Sequence, residues 1–454
     1  MKWMKNTFFL LVLTSLGLGA SAALQFDPTQ ILTVGFRPSH IDCGDIDGDG
    51  YPDLVVTNMF SHSLTIAYNN GEGSFNRLVE VPYINSRKHP TSVAVGDLDG
   101  DQDMDIATSH IQDILNMSSP FQNVGLVLFY NLGEGQFEQV YIPFDGNPSM
   151  MLIRDLNGDG QNDLLVGDNG ELSFETSFIG QFEPGITLYL NKGNRQFDLF
   201  QNILTDGSIV YLNYEDFNND GQADLLGINQ GQIIINELFQ TEIIDPSLNY
   251  YKRGTANYPE WPTTLFPVQY DPYTSDTADF DYDGRLDFVV SLVGKSDLLR
   301  MTGENASVDI YRNNGESFQK YKSIATPGIS YQVLAQDYDN DGDMDFAVTV
   351  EKVIGTLSGD EYEPYLKLYE NDGENNFTEL SGPINPNTGR PQELYPVDYL
   401  PRYGVTADFD QDGDMDIAVL CSILDAADGG GSITGRVHVF HNRTITTVGD
   451  WTLF

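Results

Sequence analysis

A nine-residue acidic pattern returns seven times along this 454-residue chain, and it constrains the fold more than any other feature. It first reads DIDGDGYPD at residues 45–53 and recurs at 97–105, 155–163, 216–224, 279–287, 337–345 and 408–416. Positions one, three, five and nine are aspartate apart from two asparagines. They are Asp45, Asp47, Asp49 and Asp53; Asp97, Asp99, Asp101 and Asp105; Asp155, Asn157, Asp159 and Asp163; Asp216, Asn218, Asp220 and Asp224; Asp279, Asp281, Asp283 and Asp287; Asp337, Asp339, Asp341 and Asp345; and Asp408, Asp410, Asp412 and Asp416. A unit repeated at this spacing is one supersecondary element stacked many times, as in solenoids, propellers and arrays.

The spacing within one copy points to a cation. Carboxylates at positions one, three and five of a tight loop converge on a point, position seven can add a carbonyl, and the aspartate at nine closes the shell. Hard oxygen ligands in that number suit Ca2+, whereas Mg2+ demands a stricter octahedron and keeps its waters. Position six is glycine in six copies, as expected where the loop must turn with positive φ. The second copy departs, with Gln102 there and Gly100 at position four, and is expected to be the weakest or most distorted site. A helix-loop-helix calcium site would need glutamate at position twelve, where the first copy has Val56. Instead, position ten is apolar in every copy and β-branched or small residues follow, so each loop leads into a buried strand.

The rest of each unit is equally regular. LTIAYNNGEGSF, LVLFYNLGEGQF, ITLYLNKGNRQF, VDIYRNNGESF and LKLYENDGENNF each read as a strand, an Asn/Gly turn and a phenylalanine opening another strand. Pro38, Pro90, Pro148, Pro272 and Pro401 stand seven residues before a first aspartate, where proline can start a strand without breaking a ladder. One unit is therefore strand A, acidic loop, strand B, strand C, turn and strand D. Seven such units predict an all-β, seven-bladed propeller of four-stranded antiparallel blades over residues 23–454. The last unit lacks a strand D, and LQFDPTQIL at residues 24–32 resembles one, so the N-terminal strand is expected to complete the last blade and close the ring.

The chain resembles the FG-GAP and VCBS repeat proteins, a family that includes the propeller of integrin α chains, and the likeness covers nearly all of it after residue 22. The resemblance implies that the four acidic positions of every copy are Ca2+ ligands, up to seven ions in all, on the face carrying the A-to-B loops. It also implies protein or glycan binding from other faces, and no enzyme activity. At about tenfold above its dissociation constant each ion adds about 1.4 kcal/mol of stability, roughly 10 kcal/mol for seven, so a mainly structural role is favoured over signalling.

Composition agrees with this picture. A net charge of −44 argues against nucleic acid and anionic membrane as partners, while 40% hydrophobic residues suffice for a core. Lys2 and Lys5, an apolar run over residues 8–18 and Ala20-Ser21-Ala22 read as a signal peptide spanning residues 1–22, and no later run is long enough to insert into a membrane. The protein is thus expected to be exported, extracellular or periplasmic. Cys43 and Cys421 sit about three residues out of step in adjacent blades, which favours free thiols over an inter-blade bridge. His438 and His441 point to opposite faces of one strand, which disfavours a histidine metal site. Glycosylation triplets begin at Asn116, Asn305, Asn376 and Asn442.

For a working surface, long insertions at 110–124, 168–184, 294–307, 352–364 and 422–435, with connectors at 246–271 and 382–400, should gather on the face opposite the acidic loops. The connector at 246–271 is richest, with Tyr250, Tyr251, Tyr258 and Trp261 as candidate contacts to an extracellular protein or glycan. The function expected is a binding or adhesion module. The alternatives are a polysaccharide-acting, lyase-like enzyme and a structural subunit of a surface assembly.

Overall fold

The computed structural model describes residue 24 and residues 26–84, 89–111, 124–169, 184–235, 241–296, 301–315, 317–356, 359–374, 376–380, 395–425 and 432–443; the expected signal peptide and Asn116 lie outside them. Seven four-stranded antiparallel sheets stand around one axis. From the axis outwards, blade one is Pro38–Gly44, Asp53–Asn58, Ser63–Tyr68 and Arg77–Pro82. Blade two is His89–Gly96, Asp105–Ile111, Gly125–Asn131 and Phe137–Pro143, and blade three Pro148–Arg154, Asp163–Asp168, Gly185–Asn191 and Phe197–Leu204. Blade four is Ile209–Glu215, Asp224–Asn229, Ser247–Tyr251 and Thr264–Pro267, and blade five Pro272–Ala278, Asp287–Leu292, Ser307–Asn313 and Phe318–Ala325. Blade six is Ile329–Gln336, Asp345–Thr356, Gly359–Asn371 and Phe377–Glu379. Blade seven joins Tyr403–Ala407, Asp416–Asp425 and Ser432–Asn442 to the N-terminal strand Phe26–Phe36, which pairs antiparallel with Ser432–Asn442 as expected. The first strands touch in succession around the ring, the last against the first.

Packing follows from the strand chemistry. The B and C strands of blades one and two are buried almost throughout, while strand D alternates exposed and covered residues because only one of its faces meets a neighbour. Each of the seven blade-to-blade interfaces holds its own apolar cluster, for example Leu98, Leu128, Met151 and Leu164 between blades two and three. Position ten supplies one fully buried residue per blade: Leu54, Ile106, Leu164, Leu225, Phe288, Phe346 and Ile417. Four of the five prolines act as expected, whereas Pro401 stands two residues before the strand Tyr403–Ala407. Where Pro38, Pro90, Pro148 and Pro272 pair with strand B, the register slips directly afterwards, which needs no proline N–H and turns the next side chains outward. Two of them reach the next blade: Ser39 Oγ donates to the Pro90 carbonyl at 2.7 Å and Thr91 Oγ1 to that of Pro148 at 3.0 Å.

Blade four corrects one expectation. Residues 246–271 are not a connector on the face opposite the acidic loops: Ser247–Tyr251 pairs with Asp224–Asn229 as strand C, and Thr264–Pro267 pairs with it as strand D. The loop between them is a C-to-D turn, on the same face as the acidic loops. The cause is an extra hairpin, Gln232–Ile235 with Thr241–Ile244, in the B-to-C loop, which displaces strand C along the sequence. Both cysteines are free, Cys421 buried and Cys43 half-buried.

A second set of contacts locks neighbouring blades on the acidic-loop face. The asparagine ending strand C sends its side-chain N–H to the position-two carbonyl of the preceding blade. These bonds run Asn69 to Phe409, Asn131 to Ile46, Asn191 to Leu98, Asn313 to Phe217, Asn371 to Phe280 and Asn442 to Tyr338, at 2.5 to 3.5 Å. Blade four has Arg253 at that place, and its guanidinium reaches the equivalent Leu156 carbonyl. Because these groups are buried, losing the amide strands a carbonyl that water cannot easily reach. Asn191→Ala is expected to lower unfolding free energy by about 1–3 kcal/mol, read by denaturant titration with an unchanged slope.

Candidate metal centre

Each acidic loop is wound around its first aspartate. The Asp45 carboxylate accepts the Asp49 N–H at 3.0 Å and the Gly50 N–H at 2.9 Å, and Asp216, Asp279 and Asp408 repeat the pair. Position five accepts the N–H of position seven in all seven loops, at 2.8 to 3.1 Å. The turn requires left-handed backbone at two places. Position six is glycine with φ of 82° to 98° in six loops, and in the second loop Gln102 is held at 75°. Position four is left-handed too, from Gly48 at 74° to Gln411 at 55°. Gly100, which departs from the other all-aspartate loops less than expected, meets the same backbone need that Gly48 and Gly158 meet.

The aspartate at position nine ties the loop to the blade. Asp53 takes the Ile46 N–H on one oxygen at 2.9 Å and the Asn69 N–H on the other at 2.8 Å. Asp105, Asp163, Asp287, Asp345 and Asp416 do the same, joining loop start, strand B and the end of strand C. All seven position-nine residues are buried. Burial pushes Asp53, Asp105, Asp287 and Asp416 up to about 7 and Asp345 to about 8, neighbouring loop aspartates add to the rise, and the backbone N–H groups offset only part of it.

The residues present fit a hard divalent cation. Potential ligand atoms lie within 4.8 Å of one another in groups that include Asp45, Asp47 and Asp53; Asp97, Asp99 and Asp101; Asp279, Asp281 and Asp287; Asp337, Asp339 and Asp345; and Asp410 and Asp416 with His441. One buried oxygen each of Asp281, Asp337 and Asp410 has no hydrogen-bond donor. Carboxylates so placed repel, and an oxygen-liganded cation relieves that cost. In the two asparagine loops the amide itself bonds a carboxylate. Asn157 donates to Asp159 at 3.0 Å and Asn218 to Asp224 at 2.8 Å. The histidine beside the seventh loop is an addition to the expected set. His441 Nδ1 is 3.2 Å from Asp410, its Nε2 bonds the Gly73 carbonyl, and His438 bonds Asp398 away from the loop.

The family model of the FG-GAP-like repeat matches residues 45–108, 155–227 and 216–290, and each match opens on the first aspartate of a loop. Over these segments the chain is similar to the FG-GAP-like repeat. No curated protein matches it. In this ring the repeat unit runs from one acidic loop into the next, so the matched segments straddle neighbouring blades.

The aromatic candidates fall elsewhere than expected. Tyr250 and Tyr251 are buried in strand C of blade four, and Tyr258 is buried in the C-to-D turn, where its hydroxyl donates to the Ala223 carbonyl at 2.8 Å. Tyr250 donates to Asp224 at 2.7 Å, so it supports the fourth loop. Trp261 is 50% exposed, on the acidic-loop face. Of the glycosylation triplets, Asn442 is fully buried with its amide in the inter-blade lock, while Asn305 and Asn376 are exposed.

Two outcomes follow from the loop geometry. Relieving the left-handed side chain with Gln102→Gly is expected to raise stability by about 1 kcal/mol, measured by denaturation. The position-nine carboxyls have folded pKa values above their unfolded range, so without metal they gain protons on folding between about pH 4 and about pH 8. In chelator the melting temperature is therefore expected to rise as pH falls from about 8 to about 5. With saturating calcium the trend should flatten or reverse, since protons then compete with the ion.

Proposed function

We propose that this FG-GAP-like propeller is an exported, calcium-stabilised binding or adhesion module, taking an extracellular protein or a glycan on the face opposite its acidic loops. The ions, up to seven, are structural: each neutralises a crowded carboxylate loop and so holds the end of a blade in shape. We assign no catalysis to the loops, because their carboxylates are occupied with backbone N–H groups and a cation.

The observation that carries the reading is the asymmetry of the two faces. On the acidic-loop face the same nine-residue loop repeats in every blade, with a short C-to-D turn in blades one, two, three, five and six and a longer one in blade four. On the other face the blades diverge. Blades four and five add the hairpins Gln232–Ile235 with Thr241–Ile244 and Lys295–Ser296 with Met301–Glu304. In blade six, Asp345–Thr356 and Gly359–Asn371 run past the edge of strand A, which pairs only as far as Glu351. Asp416–Asp425 and Ser432–Asn442 are long in the same way. Variable projections on a rigid scaffold are a common basis for recognition. Ile354 on the blade-six projection is 38% exposed, and Tyr362, paired with Val353 on the neighbouring strand, packs edge-on against Tyr399 at 5.1 Å.

Export is proposed from the N-terminal signature, the acidic composition and the typical setting of such propellers. Among the described residues no helix is long and apolar enough to cross a membrane.

The test is capture of the calcium-loaded protein on a glycan array and on immobilised extracellular proteins. Ile354→Asp is expected to reduce capture at least about tenfold, as expected for a contact in a binding hot spot, while Trp261→Ala leaves it unchanged. Loss with Trp261→Ala and retention with Ile354→Asp would move the binding face to the acidic loops, and no retention on any surface would reject the module.

A further inference from the structure

The seven loops differ in one respect that their shared pattern conceals: what stands against the carboxylate at position three. In the first loop Arg77 Nη1 lies 3.5 Å from Asp47. In the second, Arg195 arrives from the C-to-D turn of blade three and sets Nε at 2.9 Å and Nη2 at 2.8 Å from Asp99. In the fifth, Arg312 Nε is 3.4 Å from Asp281, and Arg285 pairs with Asp283 of the same loop. In the seventh, Arg443 Nη1 is 2.6 Å from Asp410 and 3.4 Å from Asp412. Three of these guanidiniums also lie over a tyrosine ring: Arg77 over Tyr68 at 3.9 Å, Arg195 over Tyr130 at 4.3 Å and Arg312 over Tyr321 at 3.5 Å. The stacking holds them beside the loop whatever occupies it. The third and fourth loops remove the charge instead, with Asn157 and Asn218.

The sixth loop does neither. It carries Asp337, Asp339, Asp341, Asp343 and Asp345, and among the described residues no arginine or lysine forms an ion pair with any of them. Asp339 and Asp345 are nearly fully buried, at 2% and 1% exposure, and one buried oxygen of Asp337 has no donor. Attraction for a divalent ion grows with the number of uncompensated carboxylates and falls when a fixed cation shares them.

We propose that the loops are graded cation sites: the sixth binds calcium first and releases it last, and built-in arginines hold the first, second, fifth and seventh at lower affinity. This rests on the reading of the loops as calcium sites. The fifth, with two arginines against four carboxylates, is the weakest of the all-aspartate loops. The same arginines make those loops less dependent on calcium for folding, since each already contributes a counter-charge. The ring thus has one blade whose integrity depends most on its bound ion and is the last to lose it, and its strands B and C run past strand A on the opposite face.

Calorimetric titration of the chelator-treated full chain with calcium tests the grading, alongside equilibrium dialysis for total bound ion. A first equivalent at least about tenfold tighter than the rest is expected, since charge count tunes such sites over decades. Asp339→Asn should abolish that tight step and leave later ones, whereas Asp281→Asn should leave it intact. In case Asp339→Asn compromises folding, Arg195→Gln and Arg312→Gln provide the independent arm, each expected to tighten one of the weaker steps several-fold. Terbium gives the position directly. The Tyr282 hydroxyl donates to the Gly342 carbonyl in the sixth loop, so tyrosine-sensitised emission of the first equivalent should fall in Tyr282→Leu. A tight step that survives Asp339→Asn, or uniform affinities with binding intact, would overturn the grading alone. No bound calcium by dialysis would overturn the calcium reading itself.

Discussion

The structure depends on a buried carboxylate that accepts two backbone N–H groups from different parts of its blade. The aspartate at position nine begins strand B, yet its oxygens hold the start of the acidic loop and the end of strand C. One residue thereby sets the exit of the loop and the register between two strands. Next to it the strand-C asparagine, whose own N–H is one of those donors, passes its side chain to the preceding blade. Loop shape, blade register and ring packing are therefore one hydrogen-bonded system, in which the two backbone donors offset part of the cost of burying the carboxyl. Blade four keeps the system with other chemistry. The Arg253 N–H holds Asp224, its guanidinium replaces the asparagine amide, and Tyr250 supplies the donor on the second oxygen.

Ring closure puts extra demand on one seam. Strand D of blade seven is the N-terminal strand, so that blade is joined across the whole length of the chain, and the entropy of bringing distant segments together opposes it. The seam with blade one is held by the same kinds of contact as other seams, where Gln201 likewise exchanges two bonds with the Tyr258 backbone and Asn219 donates to the Gly284 carbonyl. Gln30 and the backbone of Phe75 exchange two bonds, at 2.8 and 3.2 Å, and Gln411 donates to the Gly50 carbonyl at 2.9 Å. His441 bonds Gly73, where a Cβ would collide with the ring. Phe75 packs edge-on against Phe409 at 5.4 Å.

The blade count, the strand order and the closing strand were legible because they follow from local rules that recur around the ring: an apolar position ten in all seven units, a proline ahead of the acidic loop in five and an Asn/Gly turn in five. The lock was hidden in plain view. The same asparagines read as turn residues, since an Asn/Gly turn accounts for them locally and a bond to a carbonyl some 90 residues away leaves no periodic trace. Blade four lacks the Asn/Gly turn and the phenylalanine that mark strands C and D elsewhere, and an inserted hairpin shifts both, so the sequence leaves its tyrosines open to either packing or contact, and Tyr250 and Tyr251 prove to be core. The arginine partners were illegible because Arg195 meets Asp99 only after two blades are packed together.

The two faces divide the work between constraint and variation. On the acidic-loop face any change must satisfy a carboxylate, two backbone donors and a neighbouring blade at once, so the nine residues repeat with few departures. On the opposite face the B-to-C loops close nothing essential, and strands extend or hairpins grow without disturbing the inner pairing. Strands B and C leave the loop at position nine and at the asparagine, and in blade six they run out into the projection without interruption. With the sixth loop holding the proposed ion, those two hydrogen-bonded strands would be the path by which it bears on the opposite face.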